Sequence, residues 1–353
     1  MNSPGARVDD LRRRLQDLGA GPAHVPALLR AWLEARPLGS GKRQAEHFFP
    51  LAVREALPQL SQSLQGLASV RSEHPASDGS VRFLVALCDG QTVESVMLPR
   101  DGLCVSTQVG CAVGCRFCMT GQNGLLRQLG SAEIVAQVVL ARRQRRVKKV
   151  VFMGMGEPAH NLDNVAEAIE VLGQEGGIGH KNLVFSTVGD LRVFECLPQL
   201  RVKPALALSL HTTRDDLRAS LLPRAPRIPV AELVRLGDAY ARATGYPLQV
   251  QWTLLAGVND SDEDLAAAAS LLKGRFAMLN LIPYNAVEGP GWQRPTTERT
   301  VALTRSLNRQ GVLTRIRQSA GQEVDGGCGQ LRARSRIEGP HSLRPVNLPH
   351  ASS

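Results

Sequence analysis

The run Cys104-Val-Ser-Thr-Gln-Val-Gly-Cys111-Ala-Val-Gly-Cys115-Arg-Phe-Cys118 puts three thiols, Cys111, Cys115 and Cys118, on one short loop in the spacing C-x3-C-x2-C. They are close enough to hold one metal centre and one ligand short of closing it. A structural zinc site takes four protein ligands in a tetrahedron. The common bacterial ferredoxin run is C-x2-C-x2-C with a further, more distant Cys. Three thiolates on a [4Fe–4S] cube leave one iron open, and an open iron is where a substrate or cosubstrate binds. Phe117 and the flanking glycines suit a buried cluster of this kind. The competing reading is half of a zinc site, completed by one of the other residues among seven Cys and eight His.

Downstream of this loop, from Leu103 to Arg317, strand and helix patterns alternate. Short apolar or β-branched runs fall at Lys149 to Met153, Leu183 to Thr187, Ala205 to Leu210, Leu248 to Leu254 and Ala277 to Ile282. Helical stretches lie between and after them at Ser131 to Arg146, Asn161 to Leu172, Val230 to Thr244 and Thr296 to Gln310. Ser261 with Asp264 three residues on marks a further helix start. Repeated β-α units mean an α/β fold with a parallel sheet, and about six of them point to a partial or full barrel. No G-x-G-x-x-G follows a strand, which argues against a dinucleotide-binding sheet. In barrels of this type chemistry sits at the C-terminal ends of the strands.

Upstream, Ser80 to Cys88 and Gln91 to Leu98 read as a hairpin around Asp89-Gly90. Before it, Val8 to Leu18, Val25 to Ala35 and Leu51 to Leu64 have helical apolar spacing. Arg30, Arg36, Lys42 and Arg43 give that helical piece a basic rim, which is either an RNA contact or a solvated face. The expected divisions are a helical, RNA-contacting domain (1–66), a β-hairpin linker unit (67–96), the barrel (97–321), a Cys loop (322–335) and a disordered Ser/Pro/His-rich tail (336–353).

At 353 residues the chain is long enough to bury roughly 75% of its extended surface. No apolar run is long enough for a membrane span, and the N-terminus lacks the apolar core of a secretory signal. With cysteines at metal-type spacing, this leads to an expected place in a reducing cytoplasm. The formal charge of +10 favours a polyanionic partner such as RNA, while only 4% aromatics argue against a reader built on stacked rings.

The loop Gly154-Met-Gly156-Glu157-Pro158 brings two glycines and a carboxylate to the next strand end, where backbone can approach a ligand and Glu157 can accept from an ammonium. It resembles the segment with which radical-SAM enzymes hold the methionine part of S-adenosylmethionine (SAM). Ser186, Ser209, His211 and Asn285 end later strands and point to the same mouth. Cys104 and Cys328 form a spare thiol pair, with Gly326, Gly327 and Gly329 expected to keep the Cys328 loop mobile. Cys88 and Cys196 read as core. The run from Arg142 to Lys149 either contacts phosphates or closes a helix.

Taken together, VESVMLP (93–99), CVSTQVGCAVGCRFCMTG (104–121), GMGEP (154–158), FSTVG (185–189), SLH (209–211), GVNDS (257–261), LIPYN (281–285) and GQEVDGGCGQL (321–331) resemble the RlmN/Cfr family of radical-SAM RNA methyltransferases over nearly the whole chain. The resemblance implies a partial (β/α)6 TIM-like barrel and one [4Fe–4S] cluster on Cys111, Cys115 and Cys118. It implies SAM held by Gly156, Glu157, Ser186, Ser209, Leu210, His211 and Asn285, with two SAM molecules used per turnover. One SAM methylates Cys328; the second yields a deoxyadenosyl radical that takes hydrogen from the S-methyl group. The resulting carbon radical adds to C2 or C8 of an adenosine, a ring carbon too electron-poor to attack a sulfonium. Glu94 would be the proton acceptor, and Cys104 would release the product through a transient disulfide with Cys328. Expected partners are large-subunit rRNA, with tRNA as a further candidate, and an electron donor such as flavodoxin, acting on a monomer. Gln251-Trp252 stands where typical members have Glu-Tyr, and Arg127-Gln-Leu-Gly where they have Arg-Asn-Leu-Thr, so the chain reads as a divergent branch with its RNA target open. The alternatives are a radical-SAM enzyme with a shifted substrate, or a metal-stapled RNA-binding protein without catalysis.

Overall fold

Helix α1 (Val8–Asp17) forms because Val8, Leu11 and Leu15 share one buried stripe, with Asp9 and Asp10 in its first turn and Arg14 in its last opposing the macrodipole. It is followed by α2 (His24–Leu33), α3 (Ala45–Phe48) and α4 (Leu51–Gln65). The computed structural model describes residues 5–41, 44–287 and 291–332. The 336–353 segment read as disordered, and Lys42 and Arg43 of the basic rim, lie outside the described residues.

The chain then enters β1 (Ala68–Pro75), β2 (Val81–Leu87) and β3 (Thr92–Leu98), an antiparallel meander, and β4 (Gly102–Cys104), which pairs back on β3. The sequence reading found the β2–β3 hairpin but not β1. That strand carries Arg71, Glu73 and His74 and buries only Ala68, with half-buried and exposed residues alternating after it, so its apolar signal is thin. A small separate ribbon pairs β5 (Gln108–Gly110) with β6 (Leu125–Gln128).

From β4 onward the main sheet is parallel. It runs through β7 (Lys149–Phe152), β8 (Leu183–Thr187), β9 (Ala205–Ser209), β10 (Leu248–Leu254), β11 (Ala277–Pro283) and β12 (Thr314–Ile316), in that order after β1, β2, β3 and β4. Crossovers carry α5 (Ser131–Arg142), α6 (Leu162–Gln174), α7 (Leu191–Cys196), α8 (Asp215–Leu221) with α9 (Val230–Thr244), α10 (Asp262–Leu272) and α11 (Thr297–Arg309). These are the six expected β/α units, with a seventh parallel strand after them. Strand β4 pairs with β3 and β7, and β12 only with β11, so the barrel stays open along a seam. Strands covered on both faces are buried throughout, as β8 is, with its polar Ser186 and Thr187 at the C-terminal end. Ser261 caps α10, its Oγ accepting the Asp264 N–H at 3.1 Å.

Helix α5 is buried from Ser131 to Ala141 because it is sandwiched between the barrel and the N-terminal helices. Val8 N–H donates to Ser131 Oγ at 2.8 Å, and Arg142 donates to the Leu33 carbonyl at 3.0 Å. One continuous hydrophobic core therefore joins α1, α2 and α4 to the barrel. The basic run after α5 is largely committed to the fold. Arg142 also binds the Gly176 carbonyl, Arg145 binds the Gly79 and Leu98 carbonyls, and Lys148 pairs with Asp101 at 2.8 Å. The phosphate-contact reading fails for those three cations.

Candidate active site

Cys111, Cys115 and Cys118 lie on the loop after β5, and an apolar cluster of Val113, Phe117, Val188, Leu222, Leu255 and Tyr284 surrounds them, separate from the main core. Burial pushes the Cys111 thiol up to about 12 and raises those of Cys115 and Cys118. Thiols so placed stay protonated until a metal centre binds sulfur and displaces the proton to solvent. Among the described residues, no set of three or more His, Cys, Asp or Glu side chains gathers tightly enough for a single metal ion. The soft, all-thiol donor set and its dry shell fit an iron–sulfur cluster, whose cube spreads its ligands more widely than one ion does.

The three thiols line a cavity of about 820 Å3, mouth included, at the C-terminal ends of β7, β8, β9 and β10. Gly156, Glu157, Ser186, Ser209 and His211 line it with them. Gly156 has φ of +101°, and a Cβ there would meet the Gln108 side chain at 2.6 Å, so glycine is required. Glu157 is buried, and its oxygens accept the N–H groups of Ala159 at 3.1 Å and Val188 at 3.0 Å. Burial, partly offset by those bonds and by Thr187, brings its pKa up to about 7. Its carboxylate thus ties the β7 loop to the β8 loop while facing the cavity.

His211 stands at φ of +65° with its ring edge-on to Phe117, centroids 4.8 Å apart. Its Nδ1 accepts the Thr253 N–H at 3.0 Å, which leaves the proton on Nε2. Burial, helped by nearby Arg218, lowers its pKa to about 3, so it is neutral at physiological pH. The unfolded chain binds a proton at this His below about pH 6.5 that the folded chain refuses until about pH 3. Its contribution therefore erodes stability as pH falls through that window, by up to about 1.4 kcal/mol per pH unit. Chemical denaturation of wild type and His211→Gln from pH 7 to pH 4 should find the difference in unfolding free energy moving against wild type as the solution acidifies; a constant difference contradicts the assignment.

Two expected SAM contacts sit outside this cavity wall. Leu210 is fully buried and meets Gln251 through its main chain, N–H to carbonyl at 3.0 Å. Asn285 donates from Nδ2 to Ser319 Oγ and to the Cys328 carbonyl, both at 2.9 Å, and its buried Oδ1 has no hydrogen-bond partner.

Cys328 lines the cavity and also a second chamber inside the barrel, whose wall includes Cys104 at the end of β4. Its position is close enough to both Cys104 and Cys118 to raise their thiol pKa values. Burial is the larger cause at Cys104, which reaches about 12, with Arg317 pulling it back down. All seven cysteines are free thiols here.

The Cys328 loop is pinned, contrary to the mobility expected from its glycines. Met119 N–H donates to the Gly329 carbonyl at 2.7 Å, and Thr120 Oγ1 to the Leu331 carbonyl at 2.6 Å. From the antiparallel meander, Asp78 accepts the Gly321 N–H at 3.0 Å and Arg82 binds the Val324 carbonyl. The glycines serve close packing: Gly329 has φ of +87°, and a Cβ there would lie 2.8 Å from the Phe117 carbonyl oxygen. Gly329→Ala is expected to cost about 1–3 kcal/mol of stability and to lower methyl transfer more than about tenfold. Thermal unfolding and a nucleoside assay check the two, and full activity would refute the pinning.

Glu94 is fully buried on β3 and lines neither cavity. One oxygen pairs with Arg82 and the other accepts the Arg332 N–H at 3.0 Å, so it secures the far end of the same loop. Sequence reasoning missed Arg317 and Gln251, which line the cavity and bond to each other at 3.1 Å, and Arg218, which props Ser209 through its carbonyl at 3.2 Å. No motif marks Arg317 or Arg218; only the register of β12 and the turn of α8 bring them inward.

The Radical SAM superfamily model matches residues 105–269. The chain is 68% identical to a "Probable RNA methyltransferase" of Stutzerimonas stutzeri (strain A1501), over 93% of this chain and 97% of that one. It is 65% identical to a probable RNA methyltransferase of Pseudomonas aeruginosa, over 93% and 96%. Among solved structures, a radical SAM methyltransferase from Sphaerobacter thermophilus superposes with a TM-score of 0.80 at 33% identity, covering 93% of this chain and 98% of that one. The cluster loop and strand-end cavity are thus those of a radical-SAM enzyme. The chain belongs to the RlmN/Cfr-like family of radical-SAM RNA methyltransferases.

Proposed function

We propose that this chain methylates C2 or C8 of an adenosine in RNA, with large-subunit rRNA as the first substrate to examine and tRNA as the second. The observation that carries the reading is the placement of Cys328 on the wall common to the thiol-lined cavity and the chamber holding Cys104. Cys328 thereby borders both the cofactor cavity and a space large enough for a base to enter.

Cys111, Cys115 and Cys118 would hold the [4Fe–4S] cluster, and Gly156, Glu157, Ser186, Ser209, His211, the Leu210 main chain and Asn285 would hold SAM. When bound, the pair supplies a carbon radical able to take hydrogen from a methyl group. Cys328 accepts a methyl from a first SAM in an ordinary SN2 displacement, its thiolate attacking and the thioether leaving. Loss of one hydrogen atom from that methyl during the second SAM's turn lets its carbon bond to the adenine ring. The adduct gives up one electron, for which the oxidised cluster would be the acceptor, and the ring proton, which we assign to Glu94; to receive it, the carboxylate must exchange its bond to the Arg332 N–H. Attack of the Cys104 thiolate on Cys328 Sγ forms the S–S bond and breaks S–CH2. The bonding pair stays on carbon, which takes a proton to become the product methyl. Two electrons from a flavodoxin-type or thiol donor then reopen the disulfide. We further propose a cytoplasmic monomer in which residues 1–66 help to hold the RNA. Consistent with a non-membrane protein, no helix among the described residues is long and apolar enough to cross a bilayer.

Mass spectrometry of rRNA and tRNA nucleosides from cells with and without this chain tests the reading. A methyladenosine that disappears with the chain supports it, and identical nucleoside profiles count against it.

A further inference from the structure

We infer that the chamber inside the open barrel holds the ribose–phosphate backbone of single-stranded RNA beside the target base, with Arg100, Lys149, Arg315 and Arg317 as its phosphate contacts. This rests on the RNA methyltransferase reading and goes beyond it by naming where the strand lies.

Barrels of the TIM type fill their lumen with branched aliphatic side chains. Here Lys149 on β7, Gln249 on β10, Asn280 on β11 and Arg315 on β12 bring polar groups to the lumen wall, beside the apolar Val151 and Met278. The space between them is about 1940 Å3, open mouth included, against about 820 Å3 for the cofactor cavity.

Charge decides what fits. Among the described residues four cations line the chamber and Asp78 is its one carboxylate, with one oxygen accepting from Ser80 and the other from the Gly321 N–H. Arg317 bonds to neutral acceptors, Gln251 Oε1 at 3.1 Å and Met153 Sδ at 3.3 Å. A glutamate at position 251 would cancel that charge; glutamine leaves it standing. Lys148 takes Asp101, and Lys149 beside it forms no ion pair among the described residues. Partial burial, and to a lesser degree Arg317, lower the Lys149 pKa. Such a lumen favours an anion with several charges along its length. Among the described residues no lining side chain is aromatic, which favours phosphate over base stacking as the handle. Cys104 and Cys328 close the inner end, so a strand seated on these cations delivers its base to the two sulfurs.

The test uses full-length, cluster-reconstituted protein and a fluorescein-labelled, adenosine-containing single-stranded oligoribonucleotide, with anisotropy read across a salt series. The variant Lys149→Gln/Arg315→Gln is compared with Lys181→Gln/Arg201→Gln, which removes the same charge from exposed positions elsewhere. Loss of two phosphate contacts should weaken binding about tenfold at 0.15 M salt and flatten the log–log salt slope by about 1.4. The control pair should change affinity less than about twofold, and melting temperatures of both variants should match wild type. If wild type binds RNA and the chamber variant is no weaker than the control, the inference fails alone. If wild type binds no RNA, it fails together with the methyltransferase reading. Displacement of the oligonucleotide by an equal concentration of adenosine monophosphate would make the chamber a mononucleotide site and also overturn the inference.

Discussion

Purified Cys104→Ala protein is expected to carry RNA bound covalently through Cys328. Cys104 ends β4 on the chamber wall that Cys328 also lines, close enough for Cys328 to add to the rise of the Cys104 thiol pKa. Burial keeps the Cys104 thiol protonated at rest, up to about 12, and Arg317 is the group that eases its ionisation. The remaining thiol near Cys328 is Cys118, which is committed to the cluster loop. Removing Cys104 therefore removes the nucleophile proposed to cut the S–CH2 bond, while every earlier proposed step keeps its residues. Close to one RNA fragment per active chain should appear as excess 260 nm absorbance that survives denaturation, and as a nucleotide-bearing Cys328 peptide after nuclease digestion. Product formation should fall by at least about a thousandfold, or more than about 4 kcal/mol in the barrier. An RNA-free preparation would rule out release through a Cys104–Cys328 disulfide.

Alanine at any one of Cys111, Cys115 or Cys118 should abolish both the cluster and methyl transfer, again by at least about a thousandfold. The same substitution at Cys88 or Cys196 should change activity less than about twofold. The contrast is strict because all five are partly or fully buried and alanine removes one sulfur each time. Cys88 sits near Arg127 and Glu133 and Cys196 near Tyr240, both remote from the strand-end cavity. Visible absorbance after anaerobic reconstitution and the nucleoside assay read the two outcomes together. Activity surviving in a cluster-loop variant would mean that the open iron is not needed.

Much of this was legible in the sequence, and the rest was hidden for identifiable reasons. Parallel strands covered on both faces are continuous apolar runs, so β7 to β11 announced themselves within a residue or two, as did the Ser261 helix cap. The cluster loop and the residues at strand ends were readable because each lies within a few positions of its motif. The antiparallel meander was read as a linker, yet Asp78, Arg82 and Glu94 from it grip residues 321, 324 and 332. Contacts spanning some 240 residues leave no local pattern. The same holds for Arg317 and Gln251, which meet only because β12 follows β11 in register. Helix α5 looked like any apolar helix until α1 and α2 were seen to cover its outer face. The basic run behind it resembled a phosphate patch because sequence alone does not tell a solvated arginine from one stapling carbonyls.

Iron, sulfide and zinc content of the anaerobically reconstituted wild-type chain, measured with its visible spectrum, bears on the central claim most directly. About four iron and four sulfide per chain with broad brown absorbance is the predicted result, and added SAM should perturb the spectrum by binding at the iron that no cysteine holds. One zinc per chain, no colour and no response to SAM would contradict it.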